Sequence, residues 1–451
     1  MNRRSFLKQA AGAAAAAVPF HAFIARTAAE GGQPRRLRRG QTAGYGPLFP
    51  TVDQTTGLPL LALPEGFTYL SFGWTGDPLS NGAPTPGAHD GMAAFAAGAG
   101  RARLVRNHER GAGTPFAPAA AIYDAGAGGG TTTLLFDTQK GELVSAEPSI
   151  SGTIRNCAGG MTPWGSWLTC EETMDTRALP HGYVFEVPVD GLGDPTPIRD
   201  MGRFSHEAVA VDPGTGYVYL TEDAGVTSGF YRYVPHVAGR LHEGGVLSML
   251  KVVGSSNVNL GASYANSTRF RVEWVRIMTP DSPAAGTPGT FVWAQGQAAG
   301  AATFARLEGC WYGNDAKIYI VSTSGGIGQG QIWEYSPAEE TIELLFQSPG
   351  ADVLNAPDNI CVSPRGGLVL CEDGSGEEFL HGLTVDGEIF PFAKNSVLLP
   401  EAHNELVPAG DYRSSEWAGA CYSPDGPWLF ANIQSPGITF AITGPWKSGA
   451  L

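Results

Sequence analysis

Charged residues are scarce in this chain, and basic residues are scarcer than acidic ones. Only 16% of its 451 residues are charged, and 43 Asp and Glu residues outnumber 29 Lys and Arg residues, which gives a formal net charge of −14. Proteins that bind nucleic acids need lysine and arginine to neutralise the phosphates, so this composition argues against a nucleic-acid partner. The acidic excess is better suited to holding cations.

The sequence also lacks long apolar runs and the closely paired cysteines of zinc sites. No segment beyond the N-terminus is long and apolar enough to cross a bilayer, so we expect no integral membrane segment in the mature chain. None of the six cysteines shows the Cys-x-x-Cys spacing. Five lie inside apolar strands, as small buried hydrophobes do, although Cys361 and Cys371 would also suit a cross-strand disulfide in an oxidising compartment.

The first residues have the layout of an export signal. A twin-arginine signature, Arg3-Arg4-Ser5-Phe6-Leu7-Lys8, precedes an alanine-rich apolar stretch from Ala10 to Val18, and no acidic residue comes before Glu30. This layout predicts a twin-arginine signal peptide over residues 1–29. We therefore expect the Tat export machinery as a partner and a periplasmic or secreted location.

Helix-forming patterns are scarce after residue 30, whereas the chain has 62 glycines and many short apolar runs between turn residues, which is typical of an all-β protein. Six stretches repeat one pattern: a polar opening, an apolar strand, a tight turn, a second apolar strand and usually an acidic close. The six stretches are residues 89–109, 156–172, 205–223, 306–324, 357–373 and 416–432.

This repetition predicts an all-β fold, a six-bladed β-propeller with an insertion near residues 236–300. Residues 58–451 are expected to form a single propeller domain, preceded by a flexible leader over residues 30–57. A seventh, degenerate blade and a two-sheet sandwich are the alternatives that the pattern leaves open.

A propeller would gather the acidic ends of these repeats into one ring, because the first strand starts and the second strand ends on the same face. Neighbouring residues on a strand alternate in direction, so not all of these acids can point inward. Converging carboxylates repel one another, and bound hard cations such as calcium or ferric iron relieve that repulsion. The fourth and sixth repeats end without an acid, at Ser322 and Asn432. The ring acids are Asp90, Glu109, Glu171, Glu172, Glu207, Glu222, Asp223, Glu308, Asp358, Glu372, Asp373 and Glu416.

Two residues in these repeats point to a role beyond structure. Cys157 stands at an opening position where other repeats have Asp or Glu, and a thiolate among carboxylates points to a transition metal. Arg306 precedes Glu308 by two residues, so both side chains project from the same side of a strand. An arginine beside a metal cluster suits an anion such as phosphate, although an ion pair with a ring carboxylate is the alternative.

Six motifs along the chain form a recognisable set: His89-Asp90-Gly91-Met92, Arg106-Asn107-His108-Glu109, Asn156-Cys157-Ala158-Gly159-Gly160-Met161-Thr162-Pro163-Trp164-Gly165, Thr169-Cys170-Glu171-Glu172, Ser205-His206-Glu207 and Arg306-x-Glu308. Together with the twin-arginine leader, they resemble the PhoX-type alkaline phosphatases. The resemblance runs from about Leu58 to Asn432. Its most specific part surrounds Cys157, because a long match of Gly, Trp and Pro rarely arises by chance.

The resemblance implies an alkaline phosphatase-like phosphoric monoester hydrolase that acts on small phosphorylated substrates, and we expect the protein to be a monomer. It implies two ferric ions (Fe3+) and one or more calcium ions (Ca2+) in the propeller channel. Arg306 resembles the family's phosphate-binding arginine. The residues that resemble metal ligands are Cys157, Glu171, Glu207 and Glu308, and less specifically Glu109, Glu172, Asp223, Asp358 and Glu372.

Two other functions stay open at this point. A calcium-dependent lactonase-type propeller is indicated by Asn355-Ala356-Pro357-Asp358-Asn359, but it leaves Cys157 and Arg306 without a role. A propeller that binds calcium structurally, as a non-catalytic interaction module of the cell envelope, is the other alternative. Iron in the purified protein would distinguish the phosphatase from both.

Overall fold

The polypeptide folds almost entirely into antiparallel β-sheet, as its short apolar runs between turn residues predict. A computed structural model describes residues 43–281 and 291–451, so the predicted signal peptide lies outside the described residues. Within these ranges there are 28 strands, one short α-helix and a few 3-10 turns, and no helix is long and apolar enough to span a bilayer.

The strands are, in chain order, β1 (Leu48–Thr51), β2 (Leu61–Pro64), β3 (Thr68–Phe72), β4 (His89–Ala96), β5 (Arg101–His108), β6 (Gly129–Asp137), β7 (Glu142–Thr153), β8 (Asn156–Met161), β9 (Ser166–Glu171), β10 (Val184–Pro188), β11 (His206–Val211), β12 (Val218–Glu222), β13 (Phe230–Pro235), β14 (Gly245–Val252), β15 (Arg269–Arg276), β16 (Leu307–Tyr312), β17 (Ile318–Ser322), β18 (Gln331–Ser336), β19 (Thr341–Gln347), β20 (Pro357–Val362), β21 (Leu368–Glu372), β22 (Phe379–Leu383), β23 (Ile389–Asn395), β24 (Leu398–Leu399), β25 (Gly410–Asp411), β26 (Trp417–Tyr422), β27 (Leu429–Ile433) and β28 (Ile438–Thr443). The helices are α1 (Val292–Ala298) and the 3-10 turns Ala119–Ala121, Arg199–Met201, Leu241–Glu243 and Trp446–Ser448.

Six hairpins share one geometry, and each coincides with a repeat found in the sequence. In every one the two strands are antiparallel, and the register shifts by one residue at a bulge shortly after the first pair. The six hairpins are β4–β5, β8–β9, β11–β12, β16–β17, β20–β21 and β26–β27.

The first strands of these hairpins surround a common axis. Each contacts the first strand of the next hairpin, and β26 contacts β4, so the series closes on itself. The approach is close: a Cβ atom on Gly160 would lie 2.0 Å from the Val209 carbonyl oxygen, and one on Gly419 would lie 2.3 Å from that of Asp90. Glycine is required where two backbones meet in this way. The fold is therefore all-β and propeller-like.

Further strands extend each hairpin outward into a sheet. Strands β4–β7 form a four-stranded sheet and β8–β10 a three-stranded one. Strand β3 pairs with β28, so an early strand completes the sheet of the last hairpin. Strands β1 and β2 join the sheet of β20–β23 in the same way. Apolar side chains fill the spaces between the sheets, with Trp74, Trp167, Trp333 and Trp417 among the largest fully buried ones.

Strands lie in two segments that the sequence analysis had set apart from the regular repeats. The flexible leader predicted over residues 30–57 contains β1, which pairs with β2 at the edge of the sheet of β20–β23. Tyr45 Oη also accepts a hydrogen bond from the Leu451 backbone N–H (2.9 Å). Within the insertion predicted near residues 236–300, residues 236–281 are built into the sheet. They supply β14 and β15, which bridge to β19, so that two neighbouring sheets become one nine-stranded sheet.

The cross-strand disulfide considered for Cys361 and Cys371 is absent from the structure. Both residues are fully buried free thiols. Cys361 lies opposite Val369 in the β20–β21 register, so Cys371 is not its direct partner across the hairpin. These thiols fill the core as small hydrophobic side chains.

The close approach of β8 and β11 gives a test of the ring. We expect Gly160→Ala to destabilise the protein by about 1–3 kcal/mol, because the new methyl group has no space beside the Val209 carbonyl. The neighbouring Met161, whose side chain is 37% exposed, provides the control substitution Met161→Ala. Urea unfolding of both variants measures the difference. Equal midpoints for the two variants would contradict this packing.

Candidate metal centre

Three positions recur in every hairpin at the same end of the ring. Each hairpin has a rim residue just before the first strand, an inner residue two places later, and a closing residue after the second strand. The backbone N–H of the closing residue donates to the carbonyl of the rim residue in all six hairpins, at 2.8–3.3 Å. The rim residues are Ala88, Arg155, Ser205, Arg306, Ala356 and Glu416; the inner residues are Asp90, Cys157, Glu207, Glu308, Asp358 and Ala418; the closing residues are Glu109, Glu172, Asp223, Thr323, Asp373 and Gln434.

The fourth and sixth hairpins close one or two residues later than the sequence analysis placed them. Thr323 and Gln434 occupy the closing positions, rather than Ser322 and Asn432. Neither is acidic, so the expectation that these two hairpins end without a carboxylate is unchanged. The acidic side chains therefore concentrate on the other four closing positions.

Inner and closing side chains, together with the rim residue Glu416, converge into four groups that could hold a metal ion. Within each group, one ligand atom per residue lies within 4.8 Å of the others, and the groups share members, so they form one continuous cluster. The four groups are Cys157, Glu172 and Glu207; Glu207, Glu308 and Asp358; Asp358, Asp373 and Glu416; and Asp90, Glu109 and Glu416.

Some donor atoms of this cluster have no hydrogen-bond partner among the described residues. Glu207 is fully buried, and neither of its carboxylate oxygens has a hydrogen-bond partner among the described residues. One carboxylate oxygen of the buried Asp90 also has no hydrogen-bond partner among the described residues. A buried carboxylate without hydrogen bonds is costly, and coordination of a cation removes that cost. The cluster thus fits a metal site on the chemistry of its own donors.

The pKa values of the cluster residues also indicate a site for a cation. Burial raises the pKa of Glu207 well above 4.5, and Glu308 and Asp358 raise it further. Burial also raises the pKa of Glu172 to about 8 and that of Asp358 to about 7. The Cys157 thiol has a raised pKa, from burial and then from the neighbouring carboxylates. Without a cation these groups resist ionisation, whereas a bound cation favours the charged forms that act as ligands.

Three of the residues expected to resemble metal ligands lie outside the four groups: Glu171, Glu372 and Asp223. Glu171 accepts hydrogen bonds from the Ile154 N–H (2.9 Å) and the Gly182 N–H (2.8 Å), and His181 Nδ1 lies 2.6 Å from it. Its neighbour Glu172 points the opposite way, into the cluster, because successive side chains on a strand alternate. Glu171 therefore anchors its own sheet.

Glu372 has the equivalent place in the fifth hairpin. It accepts hydrogen bonds from the Asn355 N–H (2.8 Å) and the Phe379 N–H (3.0 Å), and His381 Nε2 lies 3.0 Å away. Asn355 and Ile154 precede their glutamates by the same number of residues, so this anchoring is a feature of the repeat. The structure thus divides two acid pairs, Glu171–Glu172 and Glu372–Asp373, into an anchor and a member of the cluster.

The remaining residues assigned by resemblance lie in or beside the cluster. Asp223 is not a member of a group, but it pairs with Arg306, whose Nε lies 3.2 Å from its carboxylate. The resemblance gave no role to Asp90, Asp373 or Glu416, although all three belong to the predicted ring and to the groups. Their position in the repeat was the signal that could have identified them.

Arg306 forms ion pairs with one inner residue and one closing residue. Besides Asp223, its guanidinium contacts Glu308 at 2.6 Å, and 37% of the side chain is exposed. Its backbone adopts φ 48°, a conformation that is rare outside glycine and that the closing hydrogen bond from the Thr323 N–H maintains. The arginine thus lies at the edge of the cluster, and part of its side chain is exposed to solvent.

Comparison with known proteins identifies the class of protein to which this fold and site belong. The solved structure of Pseudomonas fluorescens PhoX, in complex with vanadate, a transition-state analogue, matches with a TM-score of 0.66 over 91% of this chain and 99% of that chain, at 17% identity. A gluconolactonase from Xanthomonas campestris matches over 90% of this chain and 99% of that chain, but with a TM-score of only 0.44 and 12% identity. The first match supports the propeller-like fold.

The family model of the alkaline phosphatase PhoX matches residues 43–149 and 127–437, which together cover most of the chain. The chain therefore belongs to the PhoX alkaline phosphatase family, a metal-dependent family, and is an alkaline phosphatase-type phosphoester hydrolase. No curated protein sequence matches the chain at a significant level.

The division between anchor and cluster acids gives a paired test. Glu171→Gln should lower the stability of the metal-free protein by about 1–3 kcal/mol, because an amide NH2 group replaces an oxygen that accepts backbone N–H groups. Glu172→Gln should change that stability less but lower the metal content. Urea unfolding and elemental analysis measure the two effects. Equal behaviour of the two variants would contradict the assignment.

The raised pKa values predict how the stability of the metal-free protein depends on pH. Glu172 and Asp358 have ordinary pKa values of 4.5 and 3.8 and folded-state values of about 8 and 7. Between these limits the folded state binds more protons than the unfolded state, so the free energy of unfolding falls as pH rises. Thermal unfolding with a chelator present should occur at a lower temperature at pH 8 than at pH 5.

Two further measurements complete this test. Added calcium should raise the unfolding temperature more at pH 8 than at pH 5, because the cation stabilises the ionised carboxylates. Glu207→Gln removes one of the buried acids and should make the dependence on pH shallower. A metal-free unfolding temperature that rises between pH 5 and pH 8 would contradict the expected sign.

Proposed function

We propose that this protein is an exported phosphomonoesterase whose acidic cluster holds iron and calcium at one end of a six-bladed β-propeller. The observation that carries the proposal is the group of Cys157, Glu172 and Glu207, in which the buried carboxylate of Glu207 has no partner within the described residues. Membership of the alkaline phosphatase family supplies the reaction class.

Six blades are the simplest architecture for the repeated geometry. The six hairpins have the same bulge and the same closing hydrogen bond, and their first strands contact one another in order around the axis. Each would supply the two inner strands of one blade. The pairing of β3 with β28 would then close the last blade, as early and late strands commonly do in such folds.

The donor types divide the cluster between two kinds of metal. The group containing the Cys157 thiolate suits iron, since sulfur ligands favour transition metals. The groups made only of carboxylates suit calcium, which prefers oxygen ligands. We place Fe3+ at Cys157, Glu172 and Glu207, with Glu308 and Asp358 next to them, and Ca2+ at the carboxylate groups that include Glu416. Bound metal ions would act there as Lewis acids towards phosphate oxygens.

Arg306 is the residue of this chain best placed to bind the substrate phosphate. Its guanidinium is planar and carries several N–H donors, which matches the oxygens of a phosphate. Asp223 and Glu308 hold it from two sides, so it is oriented before the substrate arrives. Donors fixed in this way stabilise the charge that develops on the phosphoryl oxygens in the transition state.

The substrates would be small phosphorylated molecules outside the cytoplasm. The Pseudomonas fluorescens relative was solved in complex with vanadate, a transition-state analogue, which supports phosphoryl chemistry. Export through the Tat machinery, to the periplasm or beyond, follows from the twin-arginine signature of residues 3–8.

Substitution of the thiol and of the arginine tests this function. Cys157→Ala should abolish iron binding, the visible absorption of a ferric thiolate and phosphatase activity together, because the sulfur ligand is lost. The buried Cys421 lies in none of the four groups, so Cys421→Ala should keep all three properties. Iron analysis, a visible spectrum and a phosphomonoester assay provide the measurements. Full activity of Cys157→Ala would refute the proposal.

Arg306→Lys should separate metal binding from substrate binding. The lysine keeps one charge but loses the fork, so we expect unchanged metal content and kcat/KM about 100-fold lower. Arg269, which bridges Glu339 and Glu343 on an exposed surface, provides the matched control Arg269→Lys. A protein that contains calcium without iron and lacks phosphatase activity would instead favour the lactonase-type or the non-catalytic alternative.

A further inference from the structure

A second arginine occupies the position equivalent to Arg306. Arg155 precedes Cys157 by two residues, as Arg306 precedes Glu308, and both arginines are rim residues. Their backbones adopt φ 49° and 48°, and the carbonyl of each accepts a 2.8 Å hydrogen bond from its closing residue. The fold therefore presents the two guanidinium groups in the same way, from two different hairpins.

The two arginine side chains differ in how far they extend towards the buried centre of the cluster. Arg306 contacts the inner residue Glu308. Arg155 contacts only closing residues: its Nε lies 3.1 Å from Glu109, and its terminal nitrogen pairs with Glu172. Its side chain is 48% exposed, against 37% for Arg306. Arg155 thus lies farther from the buried centre of the cluster and closer to solvent.

The charges around the rim are unevenly distributed. The two arginines belong to the second and fourth hairpins, and the small Ser205 stands at the rim of the hairpin between them. The rim residue of the sixth hairpin, on the opposite side of the ring, is the acidic Glu416. An anionic molecule is therefore attracted to the side formed by hairpins two to four, where a small residue leaves room between two cations.

This arrangement gives a substrate class, on the assumption that the proposed phosphatase function is correct. We propose that Arg155 binds a second anionic group of the substrate, a carboxylate or a second phosphate, while Arg306 binds the phosphate that is hydrolysed. The preferred substrates are then small phosphomonoesters that carry another negative charge. Glu109 and Glu172 hold the Arg155 fork in place, and Gln434 in turn donates a 2.7 Å hydrogen bond to Glu109.

A pair of matched esters tests the proposal on the metal-loaded mature protein. 3-Phosphoglycerate and glycerol 3-phosphate differ in that a carboxylate in the first replaces a hydroxymethyl group in the second. We expect the wild type to have the higher kcat/KM for 3-phosphoglycerate. Arg155→Gln should lower that value about 10- to 100-fold, the effect of losing a charge-assisted pair, and change the value for glycerol 3-phosphate less than about threefold.

Two controls separate substrate binding from folding. Arg269→Gln removes an arginine that also bridges two carboxylates, but at the start of β15 and beside none of the four groups, and should leave both esters unaffected. Arg155→Lys keeps the charge beside Glu109 and Glu172 without the fork. The Arg155→Lys variant should retain metal and still lose part of the preference for 3-phosphoglycerate. It therefore tests the role of Arg155 even if Arg155→Gln loses metal or unfolds.

The outcomes distinguish this inference from the function on which it rests. Hydrolysis of neither ester by the wild type would refute the phosphatase function itself. A second outcome is that the wild type hydrolyses both esters while Arg155→Gln lowers the two kcat/KM values by the same factor or leaves both unchanged. That result would refute the role of Arg155 but not the phosphatase function. An unchanged ratio in a metal-loaded Arg155→Lys variant would refute it as well. A selective loss of 3-phosphoglycerate hydrolysis would establish it.

Discussion

The structure depends on one constraint: six strands must pass close to a single axis. Where neighbouring first strands meet, Gly160 and Gly419 leave no space for a side chain. The same closeness brings the ends of all six hairpins to one place, and most of those ends are acidic. Like charges in a buried site repel one another, so the geometry that closes the ring also creates a demand for cations. Fold and metal site are two consequences of the same packing.

The paired acids at the hairpin ends divide these tasks between neighbours. Glu171 and Glu372 bind backbone N–H groups of their own sheets, and the residues that follow them, Glu172 and Asp373, belong to the cluster. The anchors keep the strand ends fixed. A charged side chain next to a fixed strand end has few conformations available, so the cluster is organised before any ion binds.

The sequence predicted the features that repeat and failed on those that depend on the direction of a single side chain. The all-β class and the acidic ring followed from six similar hairpins, and the family followed from the stretch around Cys157. The two members of Glu171–Glu172 could not be told apart, because the bulge in each hairpin decides which of them faces inward. Arg155 was overlooked since it differs from Arg306 in its sequence neighbours, although its place in the repeat is the same. Strands β14 and β15 link two sheets because β15 pairs with β19, and a local sequence pattern does not predict pairing between distant segments.

The pairing of β3 with β28 has a consequence for the synthesis of the protein. On the ribosome, β3 emerges early and then waits for a partner encoded near the other end of the described chain. Until that partner appears, β3 is an unpaired edge that other chains could extend. Glu416, which two of the four groups share, comes directly before the last hairpin, so no nascent chain holds all members of the cluster until synthesis has reached that hairpin. Completion of the ring therefore coincides with completion of the metal site, and a cell that exports this protein folded would be exporting a finished chain.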